Sequence, residues 1–262
     1  MIQAAHSSFF GHTPVAPSAI AIEGQTHDKN NEHVPYEVPK ELSIDEIGSI
    51  VEDYRVAAQR AKDAGFDGVE VHGANGYLVD EFLQSSTNKR TDSYGGSVEN
   101  RFRFAKEVLE AVSSVWPSQR VGIRISPNGI YNSMGSEDNI ETFSFALSQF
   151  NRMNLAYVHI MDGLAFGFHN KCKVFRLNDA RRVYDGTLIG NCGYTKEKAE
   201  GALGTGCVDF IAFGRPFISN PDLVERFRNN YPLAADAPFS TYYSHPAGHP
   251  EVGYSDFPTY SA

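Results

Sequence analysis

The sequence predicts an α/β fold with a parallel sheet, of the (β/α)8 barrel type but with about five of its eight βα units. Three observations carry this. From residue 43 onward, helical and strand patterns alternate, which implies right-handed crossovers between parallel strands. The first βα turn has no G-x-G-x-x-G, the fingerprint expected of a doubly wound dinucleotide-binding sheet. Polar residues (His72, Arg124, Asn191 and Arg215) stand at the C-terminal ends of strands, where a barrel builds its site. A doubly wound open sheet is the alternative, because a closed barrel takes eight strands and only five are legible. The chain reads as a single domain over 1–262.

Residues 1–42 show little periodicity. The stretch 13–18 is punctuated by prolines and 24–39 is polar, so a long loop is expected. Ser43 and Glu46 then form a Ser-x-x-Glu capping box. Ile47, Ile50, Val51, Tyr54, Ala58 and Ala61 recur at helical spacing, and Gly65 stops the helix. A strand follows over 68–73. The unit recurs as a helix over 98–116, ending before Pro117, and a strand over 121–126. Next come a helix over 140–153 and a strand over 156–160, then a short helix over 178–184 and a strand over 187–190. A helix over 196–203 precedes a strand over 210–214. Asn220-Pro221 reads as an N-cap and first-turn pair opening a last helix to about 229. Beyond it the chain is irregular and rich in Pro, Tyr and Ser.

The 262 residues are 41% hydrophobic, 21% charged and 12% aromatic, an ordinary globular composition. A formal net charge of -9, from 23 Lys and Arg against 32 Asp and Glu, gives no general field for nucleic acid or an anionic membrane. An anion held in one focused pocket stays compatible with it. No apolar run approaches the roughly 18 residues of a membrane helix. Residues 1–6 lack the basic start and apolar core of a signal peptide. Cys172, Cys192 and Cys207 are widely spaced with no C-x-x-C, which argues against a disulfide scaffold or a cysteine zinc site, and no metal centre is expected. A reducing, cytoplasmic setting is expected.

Arg124 alternates with apolar residues in Val121-Gly122-Ile123-Arg124-Ile125-Ser126. On a buried face it must be paired, and an internal salt bridge accounts for it as well as a ligand does. Gly190-Asn191-Cys192-Gly193-Tyr194-Thr195 opens a helix, and Phe213-Gly214-Arg215-Pro216 follows the last strand. Glycines after successive late strands, with a helix N-terminus and an Arg, suit a phosphate cradle. Each turn alone is only a turn; with Arg124 they favour a phosphate-bearing ligand. In His72-Gly73-Ala74-Asn75-Gly76-Tyr77, His72 and Asn75 offer donors that can stabilise negative charge on a carbonyl oxygen or phenolate. Tyr77 offers a phenolic proton for a neighbouring carbon. A core His and a turn Asn are the ordinary alternative.

These motifs resemble the Old Yellow Enzyme family of FMN-dependent ene-reductases. The resemblance rests on His72-Gly73-Ala74-Asn75-Gly76-Tyr77-Leu78 and on Asn88-Lys89-Arg90-Thr91-Asp92-x-Tyr94-Gly95-Gly96-Ser97-x-Glu99-Asn100-Arg101. It rests also on Val121-Gly122-x-Arg124-x-Ser126-Pro127 and Phe213-Gly214-Arg215-Pro216-Phe217-Ile218-x-Asn220-Pro221-Asp222-Leu223. It runs from about Thr13 to Tyr260, and residues 253–260 resemble the family's usual ending. It implies a (β/α)8 barrel with FMN at its C-terminal mouth, reduced by NAD(P)H and passing hydride to an activated alkene, commonly an enone. His72 and Asn75 would hold the substrate's carbonyl oxygen, and Tyr77 would deliver the α-carbon proton. Arg124 would meet the flavin's polar edge and ribityl region. Asn191, Cys192, Gly193, Gly214 and Arg215 would hold the phosphate, and Tyr243 would line the substrate pocket.

The sequence departs from the family at its head. Family members begin well before the point matched by Thr13, and the part before it carries the first three barrel strands and a flavin-contacting Gln. Gln3 lies too near the start to be that residue. Cys192 stands where the family usually has Gly in the phosphate turn. The strands at Gly68 and Phe210 would then be open sheet edges, so pairing with other chains is expected. An impaired family remnant, with a binding role or none, is the rival to an active ene-reductase.

Overall fold

The computed structural model describes residues 7–9, 11–238, 241–242, 249, 251–254 and 256–261. Where a loop is expected, the head carries short strands. β1 (Val15–Ala16) pairs in parallel with β4 (Lys40–Glu41), and β2 (Gln25–His27) forms a hairpin with β3 (His33–Pro35). Strands of two or three residues are too short for alternation to register in a sequence. Asp28 builds the hairpin turn, its Oδ1 accepting the N–H groups of Asn30 at 2.8 Å and Glu32 at 2.9 Å. Arg90 pins the head to the body. Its buried guanidinium donates to the carbonyls of Pro17 at 3.0 Å and Leu42 at 2.6 Å, and pairs with Asp92 at 2.5 Å.

α1 (Ile44–Asp63) starts at the expected capping box and ends where Gly65 (φ +85°) closes the last turn. Five strands form one sheet: β5 (Val69–Gly73), β6 (Val121–Ile125), β7 (Tyr157–Met161), β8 (Leu188–Asn191) and β9 (Phe210–Ala212). Every pairing is parallel and the spatial order is the chain order. A doubly wound sheet reverses its order at a switch point. This one does not, so the barrel prediction holds over the doubly wound alternative, with five units among the described residues.

The remaining helices are α2 (Leu78–Leu83), α3 (Val98–Ser113), α4 (Asn139–Met153), α5 (Leu177–Arg181), α6 (Lys196–Gly204), α7 (Arg215–Ser219) and α8 (Leu223–Asn229). Val71, Val121, Ile123, Ile125, Val158, Ile160 and Leu188 bury one sheet face against Phe104, Val108, Leu109, Ala146, Leu147 and Phe150 of the helices. Alternation then sends Glu70, His72, Arg124, Tyr157, His159, Ile189, Asn191 and Phe210 to the other face. Across it, His72, Arg124, His159, Ile189 and Phe210 are register partners in one row.

Two helices were not anticipated. α7 has only five residues. Asn220 closes α7 rather than capping the next helix, and α8 starts at Leu223 with Asp222 in the N-cap position. Asp222 accepts instead from Arg226 Nε at 2.7 Å and from the Tyr260 N–H at 2.8 Å, docking the C-terminal tail. α2 is buried on every side, so it has no amphipathic signature.

That burial includes two acids. Glu81 is 1% exposed and neither carboxyl oxygen has a partner; burial, then the adjacent Asp80, pushes it up from 4.5 to about 8. Between those values the folded chain keeps a proton that the unfolded chain releases. Stability therefore falls as pH rises through this window, by at most about 1.4 kcal/mol per pH unit for one proton. Urea denaturation from pH 6.5 to 8, above the titration of Asp80, which burial pushes up to about 6, is expected to show this decline, and Glu81→Gln is expected to flatten it; an equal slope in the variant would assign the decline to other groups.

Among the described residues, β5 pairs only with β6 and β9 only with β8. Phe210 on β9 is 60% exposed. Unpaired parallel edges template further pairing. Chromatography with light scattering is expected to show oligomers or aggregates of this chain; a monodisperse monomer with a sharp cooperative melt would contradict the open-edge reading.

Candidate functional site

The site grows from the C-terminal ends of β5, β6 and β8, which parallel pairing places on one side of the sheet. β5 ends at Gly73, and the chain turns through Asn75 (φ +59°) and Gly76 (φ +68°) into α2, with Tyr77 in its N-cap position. A Cβ on Gly76 would lie 2.6 Å from Asn132 Cβ and 2.9 Å from Tyr131 O, so no other residue fits this turn. The turn brings the Tyr77 ring back to 5.2 Å from the His72 ring. Burial, then the Arg124 charge, lowers the His72 imidazole below its ordinary value, so it is neutral at pH 7 and keeps one N–H to donate.

Arg124 is the register partner of His72. Its Nη2 donates to Asn191 Oδ1 at 2.6 Å, which ties the end of β6 to the end of β8. Its Nε is buried without a partner. The nearby acid is Glu70, whose carboxylate meets His159 Nδ1 at 3.1 Å and forms no salt bridge with Arg124. The internal salt bridge weighed for Arg124 is thus absent among the described residues, and a buried donor is left for an acceptor.

Asn191 makes three contacts across the site. Beyond accepting from Arg124, it donates Nδ2–H to Ala212 O at 2.8 Å and its backbone N–H to Asp162 Oδ1 at 3.0 Å. It is a bracket between strands, with its backbone N–H already committed to Asp162. Asp162, which also accepts the Tyr194 hydroxyl at 2.7 Å, escaped the sequence reading although it follows the end of β7 directly. Among the described residues no hydrogen bond engages the N–H groups of Cys192 and Gly193. Both have positive φ, +89° and +78°. The loop after β7 lies over this turn, with Ala165 against Gly193. Gly214 leads into α7, and the Arg215 guanidinium stands 4.5 Å from the Phe166 ring, with no salt bridge among the described residues. Tyr243 lies outside the described residues.

These features fit FMN. Two backbone donors in a positive-φ turn and a cation with no salt bridge among the described residues suit a phosphate, and the orphaned Arg124 Nε suits an acceptor on the ring. Among the described residues no three His, Cys, Asp or Glu side chains cluster as metal ligands.

A sequential parallel sheet with polar groups at its C-terminal mouth defines the βα-barrel class. The chain belongs to the NADH:flavin oxidoreductase / NADH oxidase family, which it matches over residues 4–234. It is 42% identical over 248 residues to a Leishmania infantum protein named "Probable flavin mononucleotide-dependent alkene reductase", covering 93% of this chain and 66% of that one. It is 38% identical to 12-oxophytodienoate reductase 2 of Arabidopsis thaliana, covering 94% and 65%. Among solved structures, the old yellow enzyme homologue from Zymomonas mobilis superposes with a TM-score of 0.91 at 38% identity, covering 99% of this chain and 72% of that chain. Morphinone reductase in complex with tetrahydroNAD gives 0.85 at 40% identity, covering 96% and 68%. The chain thus spans about two thirds of the length of these curated relatives. The fold is that of the Old Yellow Enzyme barrels, with part of the barrel represented, and FMN is the cofactor of the family.

Cys192 is the site's strained residue: a side chain at φ +89° costs on the order of 1 kcal/mol that glycine avoids. Cys192→Gly is expected to raise the unfolding free energy by about that much, read as a higher urea midpoint. An unchanged or lowered midpoint would mean that thiol packing outweighs the strain.

Proposed function

We propose that this chain is an FMN-dependent ene-reductase that uses NAD(P)H to reduce α,β-unsaturated carbonyl compounds, and that it works in the cytoplasm as one domain. One observation carries the reading. Arg124, with a buried unpaired Nε, joins the His72–Tyr77 donor segment by register to the Cys192–Gly193 turn through Asn191. Three free thiols, none in a disulfide, support a reducing compartment.

In this reading Arg215, Gly214 and the N–H groups of Cys192 and Gly193 hold the phosphate, and Arg124 faces the polar edge of the ring. Bound FMN supplies the hydride. The neutral His72 and the Asn75 amide donate hydrogen bonds to the carbonyl oxygen of the substrate. Those bonds strengthen as the oxygen gains enolate charge, and each such donor is worth about 2.7–4 kcal/mol in the transition state. Tyr77, whose ring stands beside His72, delivers the proton to the α-carbon through its hydroxyl.

A purified sample with flavin absorbance is expected; its absence after reconstitution would leave the chain a family remnant without this activity. In a fluorescence titration with FMN, Arg215→Ala is expected to weaken binding by at least about tenfold, the worth of one charge-assisted contact. An unchanged affinity would place the phosphate elsewhere. Tyr77→Phe is expected to spare flavin reduction by NAD(P)H and slow reoxidation by enones in stopped-flow measurements. Equal losses in both half-reactions would make Tyr77 structural.

A further inference from the structure

Asp80 and Glu81 lie side by side in α2, both buried, and only Asp80 is wired to the site. Asp80 Oδ2 accepts the Gly76 N–H at 2.9 Å and the Ser126 hydroxyl at 3.2 Å. Its Oδ1 accepts Gln84 Nε2–H at 2.8 Å. Ser126 Oγ in turn accepts the Asn75 N–H at 2.7 Å. Both N–H groups of the left-handed Asn75–Gly76 pair therefore end on one carboxylate, directly or through one hydroxyl. Asn132 Nδ2–H closes the other side, donating to Asn75 O at 2.9 Å.

Satisfying a buried acid does not by itself require this arrangement. Glu81, one residue on, is buried with no donor at all. No ion pair involves Asp80 among the described residues, so three hydrogen-bond donors carry the whole of its compensation. Two of those three lead to the turn that presents Asn75 and Tyr77. A rotation of that turn would swing the Asn75 amide and displace the N-terminus of α2, where Tyr77 sits.

We propose that Asp80 is a positioning residue, whose carboxylate fixes the Asn75–Gly76 turn and thereby aims the Asn75 amide and the Tyr77 hydroxyl at a bound carbonyl compound. What is aimed at rests on the function proposed above; the turn itself is present without any ligand. Asp80 touches neither substrate nor cofactor and acts through the backbone of Asn75 and Gly76.

Four variants test this: Asp80→Ala, Asp80→Asn, Ser126→Ala and Glu81→Gln. The first readout is amide hydrogen exchange at Asn75 and Gly76 in the chain without FMN. Asp80→Ala is expected to speed exchange at both amides by about tenfold, the worth of one hydrogen bond to a charged group. Asp80→Asn keeps an acceptor oxygen in place and is expected to recover most of the protection. Ser126→Ala is expected to expose Asn75 more than Gly76, and Glu81→Gln to change neither. The second readout uses the FMN-loaded chain with cyclohex-2-enone as probe. Asp80→Ala is expected to raise KM and slow flavin reoxidation by about tenfold while flavin reduction by NADPH stays at the wild-type rate, with Asp80→Asn again rescuing.

Wild-type exchange in Asp80→Ala would overturn the proposal. So would equal disruption by Glu81→Gln, or equal slowing of both half-reactions. If Asp80→Ala fails to fold, Asp80→Asn against Ser126→Ala makes the same comparison at Asn75 and Gly76. If the wild-type chain binds no FMN, the functional reading falls alone, because the exchange measurement still decides whether Asp80 holds the turn.

Discussion

Burying the cation of Arg124 on the inner face of a parallel sheet sets the terms for its surroundings. Burial lowers its pKa, and the nearby Glu70 opposes that shift. Burial also acts on Glu70, but His159, Tyr157 and Arg124 outweigh it and hold that carboxyl below its ordinary value. The same cation helps keep His72 neutral. Its Nη2 reaches across to Asn191 and fixes where β8 ends relative to β6. One charge thus links a donor segment for a carbonyl with a turn for a phosphate. Arg124 is half-buried, and its contacts serve geometry, since charge burial as such does not stabilise a fold.

Much of this was legible because the relevant signals are local. The capping box at Ser43 and Glu46 and the stop at Gly65 bound α1 where expected. The strand ends carrying His72, Arg124 and Asn191 followed from period-two alternation, and parallel pairing does the rest by gathering them on one side. What escaped has no local signal. α2 is buried all round and α7 is a single turn or so, and the head strands have two or three residues each. Asn191 illustrates the limit at the site: its position was readable, but its hydrogen bonds to Asp162, Arg124 and Ala212 belong to three other parts of the fold.

The length of a motif is a poor guide to chemistry here. The run from Asn88 to Arg101 carries the longest resemblance, and its buried groups work as scaffold. Asn88 Nδ2 donates to Phe82 O and Tyr94 O at 2.8 and 2.7 Å. Arg101 donates to Leu83 O and Gly96 O and pairs with Asp138 at 2.7 Å. Arg90 clamps the head. Buried polar groups must find partners wherever they lie, so a network with many partners constrains as many positions as a reaction does.

The loop after β7 and the turn after β8 fit one another like a key in a ward. A Cβ on Gly163 would stand 1.8 Å from Cys192 O, and one on Gly193 would stand 3.3 Å from Ala165 Cβ. The Gly163 N–H also donates to Asn191 O at 3.2 Å. Gly163 has no room for a side chain and Gly193 little, so a residue change in one segment bears on the other. Pairs drawn from 163–165 and 191–193 should therefore drift together across lineages, and grafting either loop alone into a relative should fail where exchanging both succeeds.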